Sequence, residues 1–483
     1  MHRQPRPRSR SRSRIRVLVT LGTLALAIAT LAGTALAHGG ALGGAARATL
    51  STPTWLVAGT GVAVVGASLL VASLGTDRSF VPLLHAPLRR VSLPGARPLA
   101  LAGNALGVVA LAGIVVVGYF GPADPLSNGA VVVVWVGWWA GFAMSTYLVG
   151  DTWPTLNPFR TLARPLAGLG DTYRWRWGAW PSVAGLLALV WLEVVSPLVD
   201  RPPALATIVL AYGVVTVAGA VVYGTDVWFA EVDPVSRVFH LYGQVAPFGR
   251  ERGSGPDHDS AGIDRDGALV VRPPGAALAD DVLAGADDVA FVVALLWGTV
   301  FDGLVTTTLW GRFARDVVSW GVPAVALYPF ALVTGFTVCW GLYLAAARLA
   351  GRLGATEVGV PTLARRFAPG LLAIAAGYHF AHFFDYFLSL VPALVLAVTA
   401  PFATVNPDIL VVPEWFGWIA VGAVLLGHVL AVLAARATAF ELFSDRDRAI
   451  RCQYPFAAVM VCFTVVSLWV VTRPEFPPPF IGV

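Results

Sequence analysis

The chain contains no lysine, and all 33 of its basic residues are arginine. Charge of either sign is scarce: Asp, Glu, Lys and Arg make up 13% of 483 residues, against 57% hydrophobic. A soluble domain carries about twice that share of charge, so that class is excluded. The three cysteines, Cys339, Cys452 and Cys462, form no Cys-x-x-Cys pair. This excludes a disulfide framework and a redox dithiol. There is no phosphate-binding glycine loop, no dinucleotide turn, no Gly-x-Ser-x-Gly elbow and no His-Glu-x-x-His helix. What is present is long apolar runs, with a mean hydropathy of +0.72. That pattern belongs to an all-α polytopic membrane protein. Arginine used to the exclusion of lysine is the bias of a high-GC prokaryotic genome.

Seven arginines fall in residues 1–16, an apolar run from Val17 to Ala32 follows, and Ala35-Leu36-Ala37 is a small-x-small cleavage pattern. Residues 1–37 therefore read as a secretory signal peptide, with an uncleaved anchor as the alternative. Its removal takes seven positive charges and no acids from a formal +5 and leaves −2. The mature chain is then not basic, and no nucleic-acid partner is expected. Residues 38–483 read as one transmembrane domain. Cleavage would leave His38 at the mature N-terminus, where its amine and imidazole could chelate Cu(II) or Ni(II). The alternative is a flexible residue after a cut.

Ten apolar spans follow the leader, at 55–74, 99–120, 129–149, 182–199, 204–224, 288–310, 323–346, 367–391, 414–435 and 453–472. Each is near the ~20 residues that a spanning helix needs. Arginines fix the orientation, because cytoplasmic loops are rich in them. With the mature N-terminus outside, inside segments hold 21 arginines and outside segments five. The expected location is the plasma membrane of a prokaryote, with both mature ends extracytoplasmic. The longest loop, about 225–286, reads as cytoplasmic. Its Gly-, Asp- and Arg-rich middle predicts mobility and no folded domain. Trp153, Trp175, Trp177, Trp180, Trp310, Trp320, Trp415 and Trp418 sit near predicted interfaces, as aromatic belts do.

The third and fifth spans exit in similar strings, GDTWPTLNPFR and GTDVWFAEVDPVSR. Each has Asp-x-Trp, then Asn-Pro or Asp-Pro, then Arg. The echo suggests an interfacial helix after each. It reads either as an old duplication or as coincident interface chemistry. Gly137-Trp138-Trp139-Ala140-Gly141 has the small-xxx-small spacing of helix packing.

Five ionisable residues interrupt apolar runs: Glu193, Asp302, His379, His382 and His428. Such residues are costly in lipid, face bundle interiors and mark working sites. At 1.5 Å per residue, four of them lie roughly 18–24 Å from the cytoplasmic edge of their spans. His428 lies near 12 Å. His379 and His382 are an i, i+3 pair, and Tyr378, His382 and Asp385 form a stripe. One expectation is a divalent transition metal (Zn, Cu, Ni or Fe) held by His379, His382 and His428. Glu193 or Asp302 would then be the catalytic base toward metal-bound water. A second is a path for a proton, a metal ion or a small solute through the same residues, as in a transporter or permease. A third is a structural membrane subunit. His85, His240 and His258 read as loop residues, solvated or interfacial.

A further pattern runs through the chain in order: AHGG, NPFRTLAR, WLEVV, VFDG followed by LW, RRFAPGLLAIAAGYHFAHFF, LLGHVLAV and QYPFAAVMVCFT. Together these strings resemble a family of multi-pass prokaryotic membrane proteins often labelled fenitrothion hydrolase-like. The resemblance spans about His38 to Val471. It implies a membrane-bound hydrolase of an organophosphorus triester and carries over no catalytic residue.

Overall fold

A computed structural model describes residues 87–91, 96–167, 175–250, 269–354, 358–413, 415–473 and 476–480, with Gly59, Gly61, Gly66 and Val81 as isolated positions. The leader, most of the 55–74 run, His38, His85 and His258 lie outside the described residues.

The described chain is a helical bundle. Eight of its helices are long and apolar enough to cross a membrane. They are α1 (Arg97–Phe120), α2 (Gly129–Leu148), α6 (Pro202–Tyr223), α8 (Ala286–Val305), α10 (Ala324–Leu353), the pair α11 (Val360–Phe367) and α12 (Gly370–Ser389) taken together, α14 (Phe416–Leu442) and α15 (Arg446–Val471). Shorter helices lie between them: α3 (Trp153–Leu156), α4 (Pro158–Ala163), α5 (Trp180–Val195), α7 (Pro234–Tyr242), α9 (Thr308–Ser319) and α13 (Val391–Thr399). The most buried pieces are α8 and α11–α12, which form the centre. Helix α1 is peripheral and presents Leu99, Leu106 and Val109 outward, as a lipid-facing helix must.

Helix breaks decide where the polar residues sit. The apolar run at 182–199 does not stay helical to its end. Ser196 precedes Pro197, and a residue before proline is pushed out of the α region. Ser196 is accordingly extended, and α5 stops at Val195 after 16 residues. Glu193 therefore lies in the last turn of a short helix and not midway along a long one. The 288–310 run also breaks. Helix α8 ends at Val305, and Thr307 caps α9 by accepting from the Trp310 N–H. Asp302 thus stands three residues from its helix end.

Helix α2 changes character midway. Residues Val133–Phe142 wind as a π-helix, a form that clusters at functional sites. A Cβ on Gly137 would stand 3.0 Å from Leu394 of α13, and one on Gly141 would stand 2.6 Å from the Phe387 ring of α12. The small residues of that segment let two neighbours close in.

The two similar strings fold alike and lock together. In each, Trp lies in a short helical turn, and Asn157 or Asp233 caps a helix that begins with proline. Asn157 Oδ1 accepts from the N–H groups of Phe159 and Arg160, and Asp233 Oδ2 accepts from Ser236 N. Asn157 Nδ2 and Trp153 Nε1 both donate to Ser236 Oγ at 3.2 Å, and Ser236 Oγ donates to Asp233. Arg160 closes the join with a 2.8 Å ion pair to Asp226. Burial pushes the Asp233 carboxyl up, while the hydrogen bonds from Ser236 and Tyr212 pull it back. Asn157→Ala removes a buried cap and strands its partner. It is expected to cost about 2 kcal/mol, read as a lower thermal midpoint; an unchanged midpoint would show that this network holds nothing.

The helix after the second string packs into the bundle. Phe239, Leu241 and Tyr242 of α7 are buried in the core. Much of the 225–286 stretch is likewise folded. Residues Phe248–Arg250 (β2) and Leu269–Val271 (β3) pair antiparallel, and β3 also pairs with Arg89–Val91 (β1). Val245, Leu278 and Leu283 join the same core. Residues 251–268 lie outside the described chain. Two tryptophans expected in interfacial belts, Trp153 and Trp310, are core residues instead, whereas Trp320 and Trp415 are exposed. His240 is mostly exposed and lies 3.8 Å from Asp151. The three cysteines are free thiols.

Candidate functional site

Helix α12 carries the centre. Its apolar residues Leu371–Ala376 bury it on every side, so Tyr378, His379 and His382 are carried into the interior with it. His382 Nε2 lies 2.9 Å from Asp302 Oδ2 of α8. This is an imidazole–carboxylate pair between two central helices. Glu193 of α5 stands close enough to Asp302 for their charges to repel directly, and the Trp139 indole of α2 faces its carboxyl. Helices α2, α5, α8 and α12 thus bring two carboxyls and an imidazole to one place.

His379 lies against this group and feels the charges of both Asp302 and His382. Its Nδ1 is 3.0 Å from the Tyr147 hydroxyl. Three aromatic rings stand edge-on around it: Trp139 at 5.6 Å, Tyr147 at 5.7 Å and Tyr242 at 5.8 Å between centroids. Phe383 packs against both imidazoles. Two buried polar atoms in this neighbourhood, His379 Nε2 and the Tyr242 hydroxyl, have no hydrogen-bond partner, while the Trp139 indole N–H is directed at Glu193. Buried polar atoms are nearly always satisfied, so two orphans side by side set this neighbourhood apart. The Tyr242 hydroxyl also faces the charge of Glu193. Glu193 and Asp302 keep partial exposure, whereas His379 and His382 are buried.

His428 turns elsewhere. Its Nδ1 is 2.9 Å from Thr464 Oγ1 of α15. The Thr464 hydroxyl gives its proton to the Met460 carbonyl. It can then only accept from His428, which places the imidazole proton on Nδ1. The Asp385 carboxylate accepts from the Tyr386 N–H. Among the described residues, no three His, Cys, Asp or Glu side chains are grouped as metal ligands. His379, His382 and His428 are therefore not gathered as one ligand set.

Tyr147, Tyr242 and Trp139 were not anticipated from sequence. Tyr147 and Trp139 lie in an apolar run where aromatics are ordinary. Tyr242 lies beyond an Asp-Pro turn in a segment that reads as a loop. A tyrosine or tryptophan has no charge to make it stand out against lipid, so periodicity carries no signal for it.

Were both carboxyls ionised beside one imidazolium, the cluster would sum to one negative charge. An uncompensated charge in this setting costs several kcal/mol. The cluster is neutral only with one more proton, or with a bound cation. No protein-family model, curated protein or solved structure matches this chain.

Proposed function

We propose that this protein is a proton-translocating permease whose Glu193–Asp302–His382 cluster takes up and releases the proton. The observation that carries the reading is the 2.9 Å contact between His382 and Asp302, with Glu193 beside it, joining α8 and α12, which are long and apolar enough to cross a membrane. Carboxyls and imidazoles within a bundle are the usual parts of a proton relay. The charge shortfall makes an added proton favourable, and the partial exposure of both carboxyls gives it a route.

Sidedness follows from the arginines. In the orientation they favour, residues 1–37 are removed, ten spans include 55–74 and the short α5, and both mature ends are extracytoplasmic. The membrane is then the plasma membrane of a prokaryote. Glu193 and Asp302 lie near the extracytoplasmic ends of their helices, so the cluster is reached from outside.

A second reading is favoured by the same pair. A carboxylate that orients an imidazole is the arrangement of a general base. With it, His382 would take a proton from water attacking an organophosphorus triester, as the resemblance to fenitrothion hydrolase-like proteins implies. Glu193 and Asp302 would be its catalytic carboxyls. The two readings part on one preparation. Purified protein in sealed vesicles, under an imposed potential and with an internal pH dye, should pass protons. Protein-dependent release of a phenol from an aryl phosphotriester without proton flux would overturn the permease reading.

A further inference from the structure

We infer that the node bounded by Glu193, Trp139, Tyr242 and His379 binds a protonated primary amine, taken up in exchange for the cluster's proton. The inference rests on the permease reading and names its second substrate class.

The donor and acceptor inventory points this way. The node offers the Glu193 carboxylate, the Tyr242 hydroxyl and His379 Nε2, the last two fully buried and unpartnered. His379 Nε2 accepts when the ring proton sits on Nδ1 toward Tyr147. A primary ammonium group presents three N–H donors and no acceptor. The carboxylate and the two acceptors beside it make three.

Charge points the same way. The groups acting on Glu193 are Asp302 and the Trp139 indole, and no arginine is among them. Those facing His379 are His382, Asp302, Tyr147 and the Trp139 backbone. The single excess negative charge is neutralised by one cation, and an anion would double the deficit. The walls choose among cations. A hard metal ion needs about six oxygen ligands, whereas this node is lined by Trp139, Tyr147, Tyr242 and Phe383. Aromatic surface accommodates the carbon end of an amine and attracts its charged end.

The exchange balances simply. With the Glu193 carboxyl protonated, the node is neutral and unliganded. An arriving ammonium displaces that proton to solvent and pairs with the carboxylate, so one positive charge replaces another. Neither state leaves a bare charge in the bundle.

The test is calorimetric titration of the purified full chain with methylammonium, repeated in two buffers of different ionisation enthalpy. Saturable binding with release of close to one proton is expected. Tyr242→Phe removes one acceptor and no volume, and should weaken binding roughly tenfold. Glu193→Gln should abolish it, with the thermal midpoint showing that the variant is folded. Tetramethylammonium, which has no N–H, should bind more weakly. No methylammonium binding, equal binding of tetramethylammonium, or unchanged affinity in Tyr242→Phe would each overturn the inference. Proton flux in vesicles, with and without methylammonium, is scored separately. Flux without methylammonium binding defeats this inference and spares the permease; binding without flux does the reverse.

Discussion

Asp302→Asn protein in sealed vesicles should pass protons at a rate lower by on the order of 100-fold or more, the usual yield of a positioned proton-transfer group. The substitution is nearly isosteric. An asparagine oxygen still reaches the 2.9 Å position beside His382 Nε2, so the contact between α8 and α12 survives. What disappears is the ability to hold and surrender a proton. It also removes the charge that repels Glu193. The mutant cluster is then neutral with Glu193 ionised and His382 protonated, and no longer needs an extra proton. Loss of flux with an unchanged thermal midpoint is the expected pair of results. Flux equal to the parent's would show that the proton bypasses Asp302, and the relay would have to be abandoned.

The largest stability effect is expected at Gly427. Helices α12 and α14 form the most extensive helix pair in the bundle. They approach through Ala373 and Gly377 on one side and Ala423 and Gly427 on the other. A Cβ on Gly377 would stand 2.5 Å from the Ala423 carbonyl oxygen, and one on Gly427 would press on the Ala373 carbonyl. Both obstacles are backbone, which cannot rotate aside. Small residues four apart are how membrane helices bring their backbones together. Gly427→Leu must therefore push the helices apart, at a cost of about 3 kcal/mol. Gly422, on the same helix, has nothing within 4 Å of an added Cβ. Gly422→Leu should be close to neutral. A denaturation midpoint that falls equally in both variants would contradict this account of the crossing.

The same helices show what a sequence reveals and what it hides. Asp302 and His382 stand out because charge is expensive in an apolar run, and counting residues along each run places them at similar depth. Glu193 stands out for the same reason and meets Asp302, but its helix ends sooner than the run does. Leu198 and Val199 keep the run apolar past the break, and only the Ser196–Pro197 step tells the helix to stop. Tyr242 was hidden because its segment is short and follows a polar turn, and the contacts that bury it come from Tyr147 and His379 far away in sequence. His428 has the same chemistry as His379 in an equally apolar run. Its partner was decided by Thr464 on the facing helix, and helix pairing is not written in either helix alone. Trp153 and Trp310 sit at run ends like belt residues, yet the chain folds back over them.

The interlocked strings constrain how the molecule can be made. Arg160 is buried and finds its carboxylate in Asp226, 66 residues later. Arg237 is buried in turn and finds Asp288, 51 residues further on. A chain emerging from the ribosome presents each arginine before its partner exists. Each must stay in the headgroup layer until the next hairpin has been delivered, since an unpaired cation is not drawn into the bundle. Synthesis order thereby becomes assembly order: the second hairpin admits the first, and α8 admits the second. A nascent chain released before Asp288 would keep Arg237 at the surface and leave α7, with Tyr242, outside the bundle.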